Sequence, residues 1–182
     1  MFDKPTDTKK FAGSFSVFSL EQENAYADAD NVYRYHGRQK NRGAQVTVFD
    51  ELSPKFSLTG GLMYLKTTQS GSANDDRELY ATPNWNASLM AEYKANPNWT
   101  AFGRLTYSGS AYLTPANRAK VPAWYRVDLG VQYEKPLADG TAMRVGLNVF
   151  NVLDRRYWCA RVNDVVALEG PRSIVLTLGY DF

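Results

Sequence analysis

A chain of 182 residues with a net charge of +2 and 22% charged residues has room for one domain and no electrostatic bias toward nucleic acid. Its mean hydropathy is −0.43 and no apolar run reaches the length of a transmembrane helix, which excludes a helical membrane protein. A membrane barrel stays open, because alternation hides its apolar face from averaged hydropathy. The aromatic fraction of 14% is high, and twelve of those residues are tyrosine.

Residues 1–9 read as a polar lead-in. Strands are predicted at about 10–26, 39–51, 55–68, 81–94, 98–112, 123–135, 141–153 and 172–182. The first is ambiguous, with Phe15 and Val17 on one face and Phe18 and Leu20 on the other. Three connections are tight: Leu52-Ser53-Pro54-Lys55, Ala95-Asn96-Pro97-Asn98 and Leu137-Ala138-Asp139-Gly140. Each holds the Pro, Asn, Asp or Gly that turns use. The others, roughly 27–38, 69–80, 113–122 and 154–171, are longer and polar. Short and long connections alternate, as in up-and-down membrane barrels with short periplasmic turns and longer outer loops. Pro54, Pro97, Pro115, Pro122, Pro136 and Pro171 all fall in connections or at strand ends.

The strands are two-faced. Tyr125, Val127, Leu129, Val131 and Tyr133 alternate with Arg126, Asp128, Gly130, Gln132 and Glu134. Met143, Val145, Leu147 and Val149 alternate with Ala142, Arg144, Gly146 and Asn148, and the last strand repeats the pattern. Aromatics recur eight positions apart on the apolar face: Phe56 and Tyr64, Trp85 and Tyr93, Trp99 and Tyr107, Tyr125 and Tyr133. Eight steps of roughly 3.3 Å span about 26 Å along a strand, or about 20 Å vertically at a tilt near 40°. That approaches the height of the apolar band on an outer-membrane barrel, bordered by aromatic girdles. The predicted outer girdle is Tyr64, Trp85, Tyr107 and Tyr125; the periplasmic one is Phe56, Tyr93, Trp99 and Tyr133. With short turns periplasmic, the last strand ends there too. Its Leu176, Leu178, Tyr180 and Phe182 resemble the C-terminal signal read by the machinery that inserts outer-membrane barrels.

Enzymatic chemistry finds little footing. Cys159 and His36 are the single cysteine and histidine, about 120 positions apart in loop-like sequence, and read as incidental. There is no metal-spaced His/Cys cluster, nucleophile elbow or phosphate loop, so no catalytic residue, metal site or cofactor is predicted. Met1-Phe2-Asp3-Lys4-Pro5 begins no signal peptide. An exported membrane protein should have one, which predicts a fragment, a truncated gene product or an engineered piece.

The C-terminal sixty residues resemble TonB-dependent outer-membrane siderophore receptors. The motifs are Trp124-Tyr125-Arg126-Val127-Asp128-Leu129-Gly130 and Asn148-Val149-Phe150-Asn151-Val152-Leu153-Asp154-Arg155-Arg156-Tyr157-Trp158. Gly170-Pro171-Arg172-Ser173 and Leu178-Gly179-Tyr180-Asp181-Phe182 fit as well. Asn41-Arg42-Gly43 resembles a recurring strand opening. Gly109-Ser110, Tyr112-Leu113 and Ala116-Asn117 resemble the ferrichrome-type hydroxamate branch. Asn148, Asn151 and Asp154 have short polar side chains suited to satisfying backbone groups where a strand meets its loop. Tyr157 and Trp158 fall where an outer aromatic belt would lie.

The resemblance implies uptake of a ferric siderophore powered through TonB, in a receptor with a 22-stranded barrel and an N-terminal plug. It makes Tyr33, Tyr35, Tyr112, Trp124 and Trp158 the loop aromatics to consider for ligand contact. Iron would arrive inside the ligand. The expected fold is all-β, an antiparallel up-and-down outer-membrane β-barrel segment of about eight strands, the last eight of that barrel. Residues 10–182 would be one C-terminal barrel segment without the plug, in contact with outer-membrane lipid and reaching TonB only through a missing N-terminal part. Two other readings compete: a self-contained eight-stranded outer-membrane barrel, and a soluble lipocalin-like binding module with its apolar face turned inward.

Overall fold

The computed structural model describes residues 10–27, 30, 32–71, 75–137, 141–161 and 165–181. Every element is a strand: β1 (Phe11–Ala27), β2 (Tyr33–Ser53), β3 (Phe56–Ser70), β4 (Trp85–Lys94), β5 (Trp99–Ser108), β6 (Ala111–Tyr112), β7 (Lys120–Val121), β8 (Trp124–Pro136), β9 (Ala142–Phe150), β10 (Trp158–Ala160), β11 (Val166–Leu168) and β12 (Ser173–Asp181). An eight-stranded antiparallel sheet runs β1-β2-β3-β4-β5-β8-β9-β12. Two small ribbons, β6-β7 and β10-β11, sit within the long connections.

Consecutive strands pair because short turns join them. Pro54 and Lys55 make the β2–β3 turn. In the β4–β5 turn the Asn96 side-chain oxygen accepts the backbone N–H groups of Asn98 (2.9 Å) and Trp99 (3.1 Å), an Asx turn. Leu137 N–H closes the third turn on the Thr141 carbonyl at 2.9 Å. Residues 138–140 of that predicted turn lie outside the described residues, as do 1–9 and Phe182.

Register aligns the two faces across the whole sheet. Val46 stands opposite Leu62, Leu62 opposite Ala87, Leu89 opposite Leu105, Leu105 opposite Val127, Val131 opposite Leu147 and Leu147 opposite Leu176. This apolar face is open: Leu129 is 48% exposed and Leu178 is 73% exposed. The opposite face carries Thr47, Asn86, Thr106, Asp128 and Asn148. The buried apolar residues among those described are Ala111, Val121 and Tyr157, all in or beside the long connections. The sheet therefore has no hydrophobic core of its own. A lipocalin-like module would bury the apolar face, and the exposure of that face overturns the soluble reading.

Among the described residues β1 and β12 pair only with β2 and β9, so the sheet is an open wall rather than the self-contained barrel considered above. The β1 ambiguity also resolves. Phe15 pairs with Val46 and lies on the apolar face, whereas Phe18 lies on the polar face against Gly43.

Three expectations need correction. The long loop placed at 27–38 is mostly strand, because β1 and β2 stay paired out to Ala27 and Tyr33. A bulge at Asn24/Ala25 accommodates one extra β2 residue, His36, which is therefore in a strand and not a loop. Cys159 likewise belongs to β10. Strand limits near 98–112 and 141–153 also retreat, β5 ending at Ser108 and β9 at Phe150.

Candidate functional site

The long connections gather at one rim of the wall, held by side chains at the ends of β5, β8 and β9. Asp128, buried on the polar face of β8, accepts the Asn151 backbone N–H at 2.9 Å and the Arg126 Nε–H at 3.1 Å. Asn151 is 2% exposed and adopts φ 52°, a left-handed conformation that Asn tolerates. Its Nδ2 donates to the carbonyls of Arg155 (2.9 Å) and Gly170 (3.3 Å), while its Oδ1 accepts the Arg155 N–H at 3.1 Å. Asp154, at φ 50°, accepts the Arg172 N–H at 2.9 Å. Both ends of the 151–172 connection are thus tied to each other and to β8.

Trp124, the first residue of β8, stacks on Tyr157 with ring centroids 4.4 Å apart and planes 15° apart. The Arg126 guanidinium also lies near the Tyr157 hydroxyl. Burial pushes the Tyr157 phenol above its ordinary value, against the pull of Arg126, so it stays neutral at physiological pH. Tyr157 is 8% exposed and does not join an outer belt, as the sequence had suggested.

A second cluster laces the 71–84 and 109–123 connections together. Asn117 bonds both backbone groups of Glu78, accepting its N–H at 2.8 Å and donating to its carbonyl at 2.9 Å. Ala81 N–H reaches the Tyr112 carbonyl at 2.8 Å, and buried Thr67 Oγ1 accepts the Leu79 N–H at 2.8 Å. Below this cluster, the polar face forms a groove of about 360 Å³ lined by Gln45, Met63, Asn86, Thr106, Ser108 and Trp124. Leu62, Ala87 and Tyr107 also line it, so its chemistry is uncharged and mainly apolar, with a few amides and hydroxyls among alkyl, thioether, phenol and indole groups.

The five loop aromatics do not converge. Trp124 reaches the groove. Tyr112 lies in β6 with Lys120 Nζ 4.2 Å from its ring centroid, and Trp158 is exposed in β10. Tyr33 and Tyr35 lie far up the β1–β2 hairpin, where the bulge sets Tyr35 opposite Ala25 on the side of Phe15 and Val17. On the apolar face Tyr64 meets Trp85 with centroids 4.8 Å apart, Trp99 meets Tyr133 at 4.8 Å, and Tyr107 and Tyr125 are register partners, as are Phe56 and Tyr93. Sequence reading missed the anchoring role of Asp128, which alternation presents as one more polar-face residue. Among the described residues no cluster of His, Cys, Asp or Glu could hold a metal ion.

Burial, with Glu169 nearby, pushes the Cys159 thiol up to about 11. The thiolate is the nucleophile, so alkylation of Cys159 at pH 8 should be many-fold slower than that of a free cysteine, and unfolding should restore the ordinary rate. Iodoacetamide labelling followed by mass spectrometry checks this; equal rates in both states would contradict it.

A family model described as TonB dependent receptor-like, beta-barrel, matches residues 4–152. The chain belongs to this family. It is 31% identical over 184 residues to the ferrichrome receptor FcuA of Yersinia enterocolitica, covering 97% of this chain and 24% of that protein. To the ferrioxamine receptor of the same organism it is 27% identical over 189 residues, covering 100% of this chain and 26% of that protein. The crystal structure of BauA, the ferric preacinetobactin receptor of Acinetobacter baumannii, superposes with a TM-score of 0.82 at 26% identity, covering 94% of this chain and 27% of that one. The chain spans about a quarter of the length of the curated relatives it matches. TonB-dependent receptor barrels reside in the bacterial outer membrane, and the family is one of receptors and transporters.

Proposed function

We propose that residues 10–182 form the C-terminal part of the wall of a receptor that takes up a ferric hydroxamate siderophore by a TonB-dependent route. The observation that carries the reading is a sheet with no core, apolar and exposed on one side, polar on the other, and open at β1 and β12. Unpaired edges are untenable in lipid, so the remaining strands of the barrel must meet both. Gating and contact with TonB belong to the rest of the receptor, and this segment performs no enzymatic step.

In this reading the short turns face the periplasm. Tyr64, Trp85, Tyr107 and Tyr125 mark the outer lipid interface, and Phe56, Tyr93, Trp99 and Tyr133 the inner one. Leu176, Leu178, Tyr180 and Phe182 serve barrel insertion. Of the loop aromatics, Trp124 is the best placed for the ligand, since it lies at the mouth of the uncharged groove beside Ser108 and Asn86. Tyr112 and Trp158 sit higher on the rim, and Tyr33 and Tyr35 are the most remote.

The test is binding of ferrichrome to the receptor containing this segment, read by quenching of tryptophan fluorescence. Binding should weaken about tenfold in Trp124→Ala, the scale of one aromatic contact worth about 1.4 kcal/mol. A receptor that binds no ferric hydroxamate sinks the proposal. Unchanged affinity in Trp124→Ala removes that residue from the site.

A further inference from the structure

Above the aromatic row the first three strands sort their polar residues by kind. On β1, Glu21 and Glu23 lie on the face of Phe15 and Val17, and on β2, Arg38, Lys40 and Arg42 lie on the face of Val46. Lys66 of β3 is the register partner of Arg42 and shares that face. The carboxamides take the other side: Gln22 and Asn24 of β1, Gln39 and Asn41 of β2, and Gln69 of β3. No register shift interrupts β1–β2 before Asn24 or β2–β3 between Arg38 and Val46, so the assignment holds across all three strands. Over these stretches no charge crosses to the amide side and no amide crosses back.

The amides form one surface. Register sets Gln22 opposite Gln39 and Gln39 opposite Gln69. Asn24 Nδ2 donates to Gln69 Oε1 at 3.4 Å, and Gln39 Nε2 donates to Asn41 Oδ1 at 3.0 Å. Gln69 is buried, whereas Gln22 is exposed. Further down β2 on the same side, exposed Gln45 carries the surface into the uncharged groove. Water alone does not demand this neutrality. Elsewhere on that side Arg126 is bound to Asp128 at 3.0 Å and Arg144 to Glu134 at 3.1 Å, so the wall admits charge there.

A ligand that sheds its water against the amides does demand it. A charge facing a neutral ligand would lose hydration with no counter-charge in return, while a carboxamide offers both a donor and an acceptor at a far smaller penalty. Iron(III) held by three singly charged hydroxamates is neutral and presents carbonyl groups. Held by three doubly charged catecholates it is a trianion, which calls for cations.

We propose that the inward carboxamides of β1, β2 and β3 select an uncharged ferric hydroxamate, bonding its carbonyl and amide groups through Gln22, Gln39 and Gln45. Anionic ferric complexes are rejected because these strands turn no cation toward them. The inference rests on the functional reading above, in which the polar face lines the barrel interior, and adds to it the residues and the charge rule that set specificity.

The experiment is a tryptophan-fluorescence titration of the whole receptor containing this segment, with ferrichrome as the neutral probe and a ferric tris-catecholate as the anionic one. Wild-type affinity for ferrichrome should be the same at low and high salt, because the contact involves no pair of charges. Gln22→Ala/Gln45→Ala should weaken ferrichrome about twenty-fivefold, from about fivefold for each neutral hydrogen bond lost. Gln22→Lys/Gln45→Lys should gain affinity for the tris-catecholate by about tenfold or more, the scale of one charge-assisted hydrogen bond, and salt should erode the gain. Ser19→Lys, on the outward face of β1, should change neither affinity. Both glutamines are exposed, so these substitutions leave the fold intact. Unchanged ferrichrome affinity in the alanine variant overturns the proposal, as does a lysine variant that gains nothing for the tris-catecholate. An equal gain from Ser19→Lys would assign the effect to net charge and overturn it too, and so would strong salt dependence of wild-type ferrichrome binding. Each of those outcomes leaves the functional reading standing. A wild-type receptor that binds no ferrichrome sinks that reading and the charge rule together.

Discussion

Asn151→Ala is expected to release the 151–172 connection from the wall at a cost of about 3–5 kcal/mol. Three part-buried side-chain hydrogen bonds disappear, each worth about 1 kcal/mol net, and the Arg155 and Gly170 backbone groups lose their partner. Alanine must also hold a left-handed φ of 52°, which adds about 1 kcal/mol. Arg155, Arg156 and Arg161 lie in the released segment, so trypsin should cut it in the variant at protease levels that leave the wild type whole. Asn151→Asp separates the contributions. It keeps the acceptor and tolerates the backbone, loses the two donated bonds, and should fall between. If Asn151→Ala resists trypsin as the wild type does, the connection is held by other contacts, chiefly the Trp124–Tyr157 stack.

Gly43→Ala should destabilise the wall by about 3 kcal/mol or more, at the upper end of the cost of overpacking. A Cβ at Gly43 would stand 2.3 Å from the Tyr64 carbonyl oxygen and 2.6 Å from the Phe18 ring. The first obstacle is backbone, so β2 and β3 would have to separate, and Phe18→Ala should not rescue the variant. Gly130 makes an instructive contrast. Its Cβ would meet the Phe102 ring at 2.2 Å and the Asn148 side chain at 2.8 Å, with no backbone atom among the nearest three. Gly130→Ala should therefore cost less, about 1–2 kcal/mol, and Phe102→Ala should recover part of it. Equilibrium unfolding in detergent, followed by circular dichroism, measures both cycles. Rescue of Gly43→Ala by Phe18→Ala would show that the ring, and not the Tyr64 carbonyl, sets the constraint.

The two glycines also show how far a sequence can be read. Each is flanked by residues that fit strand alternation, and nothing along the chain says that an aromatic from the next strand lies over it. Phe18 looked like a violation of the apolar pattern for this reason. Its ring covers Gly43 on the polar face, an arrangement that lets a strand glycine keep a packed neighbour.

The long loop expected at 27–38 failed for a different physical reason. Alternation between apolar and polar residues marks a strand only where one of its faces meets lipid or a core. Beyond the Val17, Ala44 and Tyr64 level the β1–β2 hairpin is mostly polar on both faces and so carries no period-2 signal. Its backbone bonds persist all the same, and Tyr33 lies eleven positions past Ala44, roughly 35 Å along the strand. The Asp128–Asn151 tie was hidden in another way. Both residues stood inside quoted motifs, yet 23 positions of chain separate them, and only the meeting of β8 with the end of β9 makes one the partner of the other.

By itself, the sequence determined the chemistry of each face, the eight main strands, the alternation of connections and the family to which the chain belongs. All of these are periods or motifs along a single strand, fixed by how side chains alternate about an extended backbone. The tertiary structure decided what depends on two strands at once: register, bulge position, the open edges of the wall, the ties that hold its loops, and the facing of Arg42 by Lys66. Register is set by the partner strand, and one residue of slip would exchange the faces, so no pattern internal to either strand contains it.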